Sequence, residues 1–231
     1  MTSSTDRADE YWAGVFGVET RDLRRPGLHT TYVDDPGAGI YVLSLGATVR
    51  VRAPKLRRPE VERITSDVAL DAGAWREALD DAASVVLGPA VHYLGSESVA
   101  PIVAEAHPDL GEVLRMAERI EPDEVDESGV VESDVLRFGL WRGKTLVAVS
   151  ALSGWVGGRT DIGLLVAPDV RGLGLGRAVA SVALNAATRE AGIARWRCRE
   201  DNAASVALAE SLGLQRYGRN LGIRLAGRSR P

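Results

Sequence analysis

The chain has 231 residues, of which 45% are hydrophobic and 26% charged, enough apolar material to bury a core and too much for a disordered chain. A net charge of -4 argues against nucleic acid as a principal ligand, and a single cysteine rules out an internal disulfide and fits a reducing compartment. No stretch approaches the ~20 apolar residues of a membrane span, and MTSSTDRADEYW lacks the apolar segment of a signal peptide, so a cytoplasmic protein with no membrane partner is expected.

Residues 6–16 read as an amphipathic helix with Tyr11, Trp12, Val15 and Phe16 at helical spacing. Residues 28–33 read as a strand, and 40–45 with 48–52 as a hairpin about Gly46-Ala47. A helical pattern runs through 74–87 and meets a stop at Gly88-Pro89. After a loop holding His92 and Tyr93, Asp109 is an N-cap for a helix with Leu110, Val113, Leu114 and Ala117 on one face. His29, His92 and His107 stand apart as surface or capping residues, and no cluster has metal-ligand spacing, so no metal is expected. The segment VRVRAPKLRRPEV echoes a later one, LLVAPDVRGLGLG, with Pro54 placed like Pro168 but without the glycines. Two readings of residues 1–117 stay open: a degenerate copy of the later unit, or an unrelated lid or dimerisation region.

Residues 118–134 carry eight carboxylates, read as a solvated linker or as a field that steers a cationic ligand. The pattern then becomes regular. A hairpin over 136–141 and 146–152 turns at Gly143, and a loop at 154–158 leads into a strand at 160–166. A helix over 174–191 presents Leu175, Ala178, Val179, Val182, Ala183 and Ala186 on one side and Arg177, Ser181, Asn185 and Arg189 on the other, ending at Gly192. In the strand 194–199, Ala194, Trp196 and Cys198 alternate with Arg195, Arg197 and Arg199, a face expected to meet water or an anion. Asn202 caps a helix with Ser205, Leu208, Ala209 and Leu212 as its buried stripe, and residues 215–225 close the sheet.

Between the strand and the long helix lies Arg171, with glycines at 172, 174 and 176. Such a loop can turn several N–H groups toward one point, and the helix that follows adds unpaired N–H groups and a positive dipole end, so an anion site results. Arg177 near that end opposes the dipole, a cost a bound anion would relieve. A Walker A loop needs Lys and then Ser or Thr after its last glycine, where this chain has Arg177 and Ala178. A dinucleotide fingerprint needs GxGxxG directly after its strand; here Arg177 takes the third glycine position, although Glu200 lies where a ribose-binding acid would sit.

The pattern V-x-P-x-x-R-G-x-G-x-G over 166–176 resembles the coenzyme A loop of the GNAT acyltransferases, with Arg171, Gly174 and Gly176 at the motif positions. Asn202, Ser205 and Gly213-Leu214 extend the resemblance, which covers residues 137–225. It implies an α/β (α+β) fold, a mixed and mostly antiparallel sheet flanked by helices, with an acetyltransferase domain at 118–231 after the α/β region at 1–117. It also implies N-acetyl transfer from acetyl-CoA, as cosubstrate, to a primary amine of a small molecule or peptide. By the resemblance, Leu164 and Val166 contribute main-chain groups to the pantetheine arm. Arg171, Gly172, Leu173, Gly174, Leu175, Gly176 and Arg177 hold the pyrophosphate, and Asn202 and Ser205 contact the cofactor. Asp161 and Glu200 are the candidate bases. The family's acid tyrosine is Ala209 here, which leaves Ser205, Tyr217 or water to protonate the thiolate. A non-catalytic acyl-CoA-binding regulatory module is the alternative, and a homodimer is left open.

Overall fold

The computed structural model describes residues 4–154 and 158–226, so residues 155–157 of the expected 154–158 loop lie outside the described residues. In chain order come α1 (Ser4–Phe16), α2 (Thr20–Leu23), β1 (Gly27–Val33), β2 (Ile40–Leu45), β3 (Thr48–Pro54), α3 (Arg58–Val61), α4 (Ala72–Leu79) and β4 (Ala83–Gly95). There follow α5 (Leu110–Ala117), α6 (Pro122–Ser128), β5 (Val135–Arg142), β6 (Thr145–Gly154), β7 (Arg159–Val166), α7 (Leu175–Ala191), β8 (Ala194–Arg199), α8 (Ala203–Ser211) and β9 (Gln215–Leu225). The chain divides into two compact units. The first takes in Tyr93–Arg197 and Ala203–Gln215 with residues 4–8, the second Asp9–His92 and Cys198–Asn202 with residues 216–226. The boundary expected between residues 117 and 118 falls inside the first unit.

In the second unit the strand order is β1-β3-β2-β9-β4. β2 and β3 form the expected antiparallel hairpin, with Gly46 at φ 63 in its turn, and β1 adds to β3 in parallel. Trp75 and Leu79 of α4 pack with Val42, Val51 and Leu221, burying the apolar faces of both layers. Trp12 of α1 stacks on Tyr41 with ring centroids 5.2 Å apart. The helix expected over 74–87 is cut in half. Asp71 caps its start by accepting from the Ala74 N–H at 2.7 Å, but Asp80 adopts φ 48 and residues 83–95 are strand. Val85 and Val86 suit an extended chain. Gly88 is no helix stop: a Cβ there would meet the Asn220 carbonyl oxygen at 2.8 Å, so it marks the close approach of the β9 backbone. His92, expected at the surface or as a cap, is fully buried and edge-on to Trp12 at 5.2 Å.

In the first unit the order is β8-β7-β6-β5. β5, β6 and β7 are antiparallel, with Gly143 at φ 62 in the β5–β6 turn and a bulge at Leu140/Trp141. Asp109 and Glu112 form a full capping box for α5. The helix buries Val113 and Met116, however, and leaves Leu110 and Leu114 exposed, so its core face is rotated from the expected one. α7 is buried on more than its apolar stripe. Ser181 and Asn185, expected on the outer side, are covered by the segment before α5: the Asn185 side chain accepts from the Val99 N–H at 2.9 Å and donates to its carbonyl at 2.7 Å. Each unit is thus a mixed, mostly antiparallel sheet with helices against it, as the sequence leads one to expect. No helix among the described residues is long and apolar enough to cross a membrane.

Candidate functional site

The end of β7 and the start of α7 shape the site. Val166 ends the strand, a 3-10 turn at Pro168–Val170 buries Val170, and Gly172 and Gly174 follow at φ 79 and φ 77. A Cβ at either glycine would meet nothing within 4 Å, so glycine is needed there for its backbone and the space beside the loop is open. Gly176 serves differently. A Cβ there would touch Leu164 Cδ2 and Val166 Cγ2 at 3.3 Å, so its small size seats the first turn of α7 on β7. Gly174 provides no side-chain cap, which leaves the first N–H groups of a 17-residue helix facing the loop. Leu173 projects outward, 59% exposed, while Leu175 packs against the core.

Beside this loop the sheet parts. The Ala167 N–H donates to the Val147 carbonyl at 2.9 Å, and side alternates residue by residue, so the main-chain groups of Leu164 and Val166 point away from β6 and toward β8. Yet among the described residues β7 pairs with β8 only at Asp161↔Arg195. Apart from the Val166 carbonyl, which Arg171 holds, the main-chain groups of Leu164 and Val166 on that side have no strand partner among the described residues and can meet an extended ligand, as at a sheet edge. Antiparallel pairing of β5, β6 and β7 also differs from the parallel doubly wound sheet that a dinucleotide fingerprint requires.

The Arg171 guanidinium folds back over the strand end: Nε donates to the Val166 carbonyl at 3.2 Å and Nη2 to Glu124 Oε2 at 2.6 Å. Arg177 donates from Nε and Nη2 to the Ser211 carbonyl, both at 3.3 Å, and so caps the C-terminus of α8, where a cation is favourable. Ser205 accepts from Trp196 Nε1 at 2.9 Å. Asn202 directly precedes α8, its N–H donating to the Arg199 carbonyl at 3.1 Å.

All four residues considered for proton transfer have partners inside the protein, Ser205 through Trp196. Asp161 lies between Arg195 Nε at 3.2 Å and Arg197 Nη2 at 3.1 Å. On the expected arginine face of β8, Arg197 and Arg199 are exposed to water, whereas Arg195 is 1% exposed and meets the Asp161 carboxylate of β7 instead. Glu200 is bracketed by Arg219 Nε at 2.9 Å and Arg216 Nη2 at 3.2 Å. Tyr217 donates its hydroxyl to Asp9 Oδ1 at 2.5 Å beneath the Arg24 guanidinium, which itself grips Asp9 at 2.7 and 2.8 Å. Burial first, then the bond to Asp9, pushes the Tyr217 phenol well above its ordinary range. Asp161, Arg177, Ser205 and the loop belong to the first unit, Glu200, Asn202 and Tyr217 to the second.

Glu124 carries no mark in the sequence that sets it apart from its acidic neighbours. The carboxylate run around it was visible, but nothing in one dimension selects the acid that reaches Arg171. The run is also more than a solvated linker, since it contains α6 and buries Ile120 and Val130.

Residues 102–214 match the model of the Acetyltransferase (GNAT) family. Among solved structures, a putative acetyltransferase of the GNAT family from Novosphingobium aromaticivorans is similar at 16% identity and TM-score 0.51, over 64% of this chain and 67% of its own. An acetyltransferase of that family from Colwellia psychrerythraea matches at 15% identity and TM-score 0.48, over 65% of this chain and 61% of its own. The chain therefore spans about three fifths to two thirds of their lengths. No curated protein sequence matches it.

Proposed function

From a chain whose residues 102–214 match the acetyltransferase (GNAT) family, we propose an N-acetyltransferase that carries an acetyl group from acetyl-CoA to a primary amine of a small molecule or peptide. The observation that carries this reading is the β7 edge at Leu164 and Val166, left without a β8 partner among the described residues, beside a glycine loop that opens onto an uncapped helix. An extended pantetheine arm suits the first and a pyrophosphate the second. The loop N–H groups from Gly172 to Arg177 face the anion, Arg171 supplies the counter-charge, and Gly176 keeps α7 close enough for both to act together.

In this reading the amine nitrogen attacks the thioester carbonyl, the C–S bond breaks, and the sulfur leaves as a thiolate that takes up a proton while the amine loses one. With Asp161, Glu200 and Tyr217 engaged elsewhere and Ser205 held by Trp196, this reading gives proton transfer to water, and the protein contributes placement and desolvation of the donor. The cytoplasm, where coenzyme A thiols stay reduced, is the setting this implies.

The test is thiol release from acetyl-CoA in the presence of a panel of primary amines, with calorimetry of coenzyme A binding to the native protein and to Arg171→Glu. Release with at least one amine, and binding lost in the variant, is the expected result. Binding without release for every amine would replace the enzyme by a coenzyme A-responsive module, and absence of coenzyme A binding by the native protein, with Arg171→Glu behaving identically, would remove the ligand altogether.

A further inference from the structure

The cation that the donor needs is already occupied. Arg171 presents a fork to the Glu124 carboxylate, with Nη2 2.6 Å from Oε2 and Nη1 3.5 Å from Oε1, while its Nε holds the Val166 carbonyl. Both partners matter to the reading above, on which this inference rests: the guanidinium is the counter-charge for pyrophosphate, and the Val166 carbonyl it holds lies on the edge of β7 that has no β8 partner among the described residues. A carboxylate thus sits where a phosphate oxygen would be neutralised.

The surrounding residues keep it there. Upstream of Glu124, Arg119 Nη2 reaches Asp169 Oδ1 at 2.7 Å, fastening the chain before α6 to the turn that precedes the glycines. Downstream, the Ser128 carbonyl rests against Gly163 of β7, where a Cβ would stand 1.9 Å from that oxygen. Val130 beyond it is fully buried, and its carbonyl accepts from Arg137 Nε at 2.7 Å. α6 is therefore held at both ends, with Glu124 presented to Arg171 between them.

We propose that Glu124 is a positioning residue that competes with the donor's pyrophosphate for Arg171 and so sets the affinity for pyrophosphate-bearing thioesters. A pyrophosphate arriving at the loop brings negative charge toward a fixed carboxylate, and the Arg171 fork can close on one or the other. The pair is about half exposed on each side, 45% and 46%, so solvent screens it and the competition is modest.

Calorimetry on the full chain tests this with two ligands, coenzyme A and pantetheine, the second lacking the pyrophosphate. Glu124→Gln should bind coenzyme A about three- to fivefold more tightly than the native protein, the range an exposed ion pair can supply, while pantetheine affinity stays the same. Glu124→Asp, whose shorter side chain keeps the charge but loses the fork, should fall between them and guards against a folding artefact of the neutral variant. Equal or weaker coenzyme A binding by Glu124→Gln, or an equal gain for pantetheine, would overturn the competition and leave the proposed activity standing. Failure of all forms to bind coenzyme A would overturn both.

Discussion

Arg195 and Asp161 meet at the one point where β7 and β8 are paired among the described residues, Nε to Oδ1 at 3.2 Å, with the arginine 1% exposed. The ion pair therefore pins the end from which the two strands part, three residues before Leu164. The dependence is one-sided: Asp161 also meets Arg197 at 3.1 Å, whereas the buried Arg195 would lose the carboxylate it faces.

Asp161→Asn should therefore act on stability before it acts on chemistry. Loss of the carboxylate leaves a buried guanidinium without its counter-charge, and urea unfolding should show a destabilisation of about 2–4 kcal/mol, below the full cost of breaking a buried pair because Asp161 is partly exposed. Turnover per folded molecule should fall by less than about tenfold, whereas loss of a true general base costs about a hundredfold or more.

Tyr217 should report its environment through the alkaline limb of stability. Its phenol is held protonated in the folded protein by burial and by the bond to Asp9, and the unfolded chain has the ordinary tyrosine pKa of about 10. A pKa raised on folding gives stability that is complete below the unfolded value and is lost as pH climbs beyond it. Denaturant midpoints measured from pH 8 upward should therefore decline above about pH 10, and the decline should be shallower in Tyr217→Phe. If that variant retains more than about a tenth of native turnover, Tyr217 is not the proton donor to the leaving thiolate.

Gly174→Ala separates backbone conformation from space. A methyl at this position meets nothing, yet φ 77 is costly for any side chain, so a loss of about 1–2 kcal/mol is expected in thermal or urea unfolding. Coenzyme A binding should weaken as the loop N–H groups lose their alignment. Gly176→Ala makes the complementary test: its backbone is helical, and the methyl must push Leu164 and Val166 by a few tenths of an ångström. Weakening by Gly174→Ala with coenzyme A affinity unchanged would mean that the loop does not hold the anion through its main chain.

Asp109→Ala removes one half of the capping box on α5 and should cost about 1 kcal/mol. Chemical denaturation measures it. Asp109→Asn, which can still accept from the Glu112 N–H, should restore most of the loss.

What the sequence revealed and what it hid follow one division. The hairpins, the strand–loop–helix at Arg171 and the cap at Asp109 are each specified within about ten residues, by turn glycines, alternation and one capping side chain. The rest depended on partners far along the chain. Residues 84–87 carry apolar spacing that serves helix or strand, and the place of Gly88 against the Asn220 carbonyl, invisible locally, decides for strand. On α5, Leu110–Val113–Leu114 and Val113–Met116 satisfy helical periodicity equally, and only the surface packed against them picks the second. Arg195 reads as a solvent residue by alternation because its carboxylate lies 34 positions upstream. Asp161, Glu200 and Tyr217 were reasonable proton carriers by type, and the guanidinium groups and Asp9 that engage them were equally out of view.

At Gly163 the β7 strand makes room for a neighbour by having nothing there. The oxygen of Ser128 fills the place that a methyl would take, so an alanine at 163 must lift the C-terminal end of α6 off the sheet. Glu124 rides on that helix one turn earlier. The distance between an acid and an arginine at the mouth of the loop is thus tuned by one absent carbon atom on a strand neither belongs to.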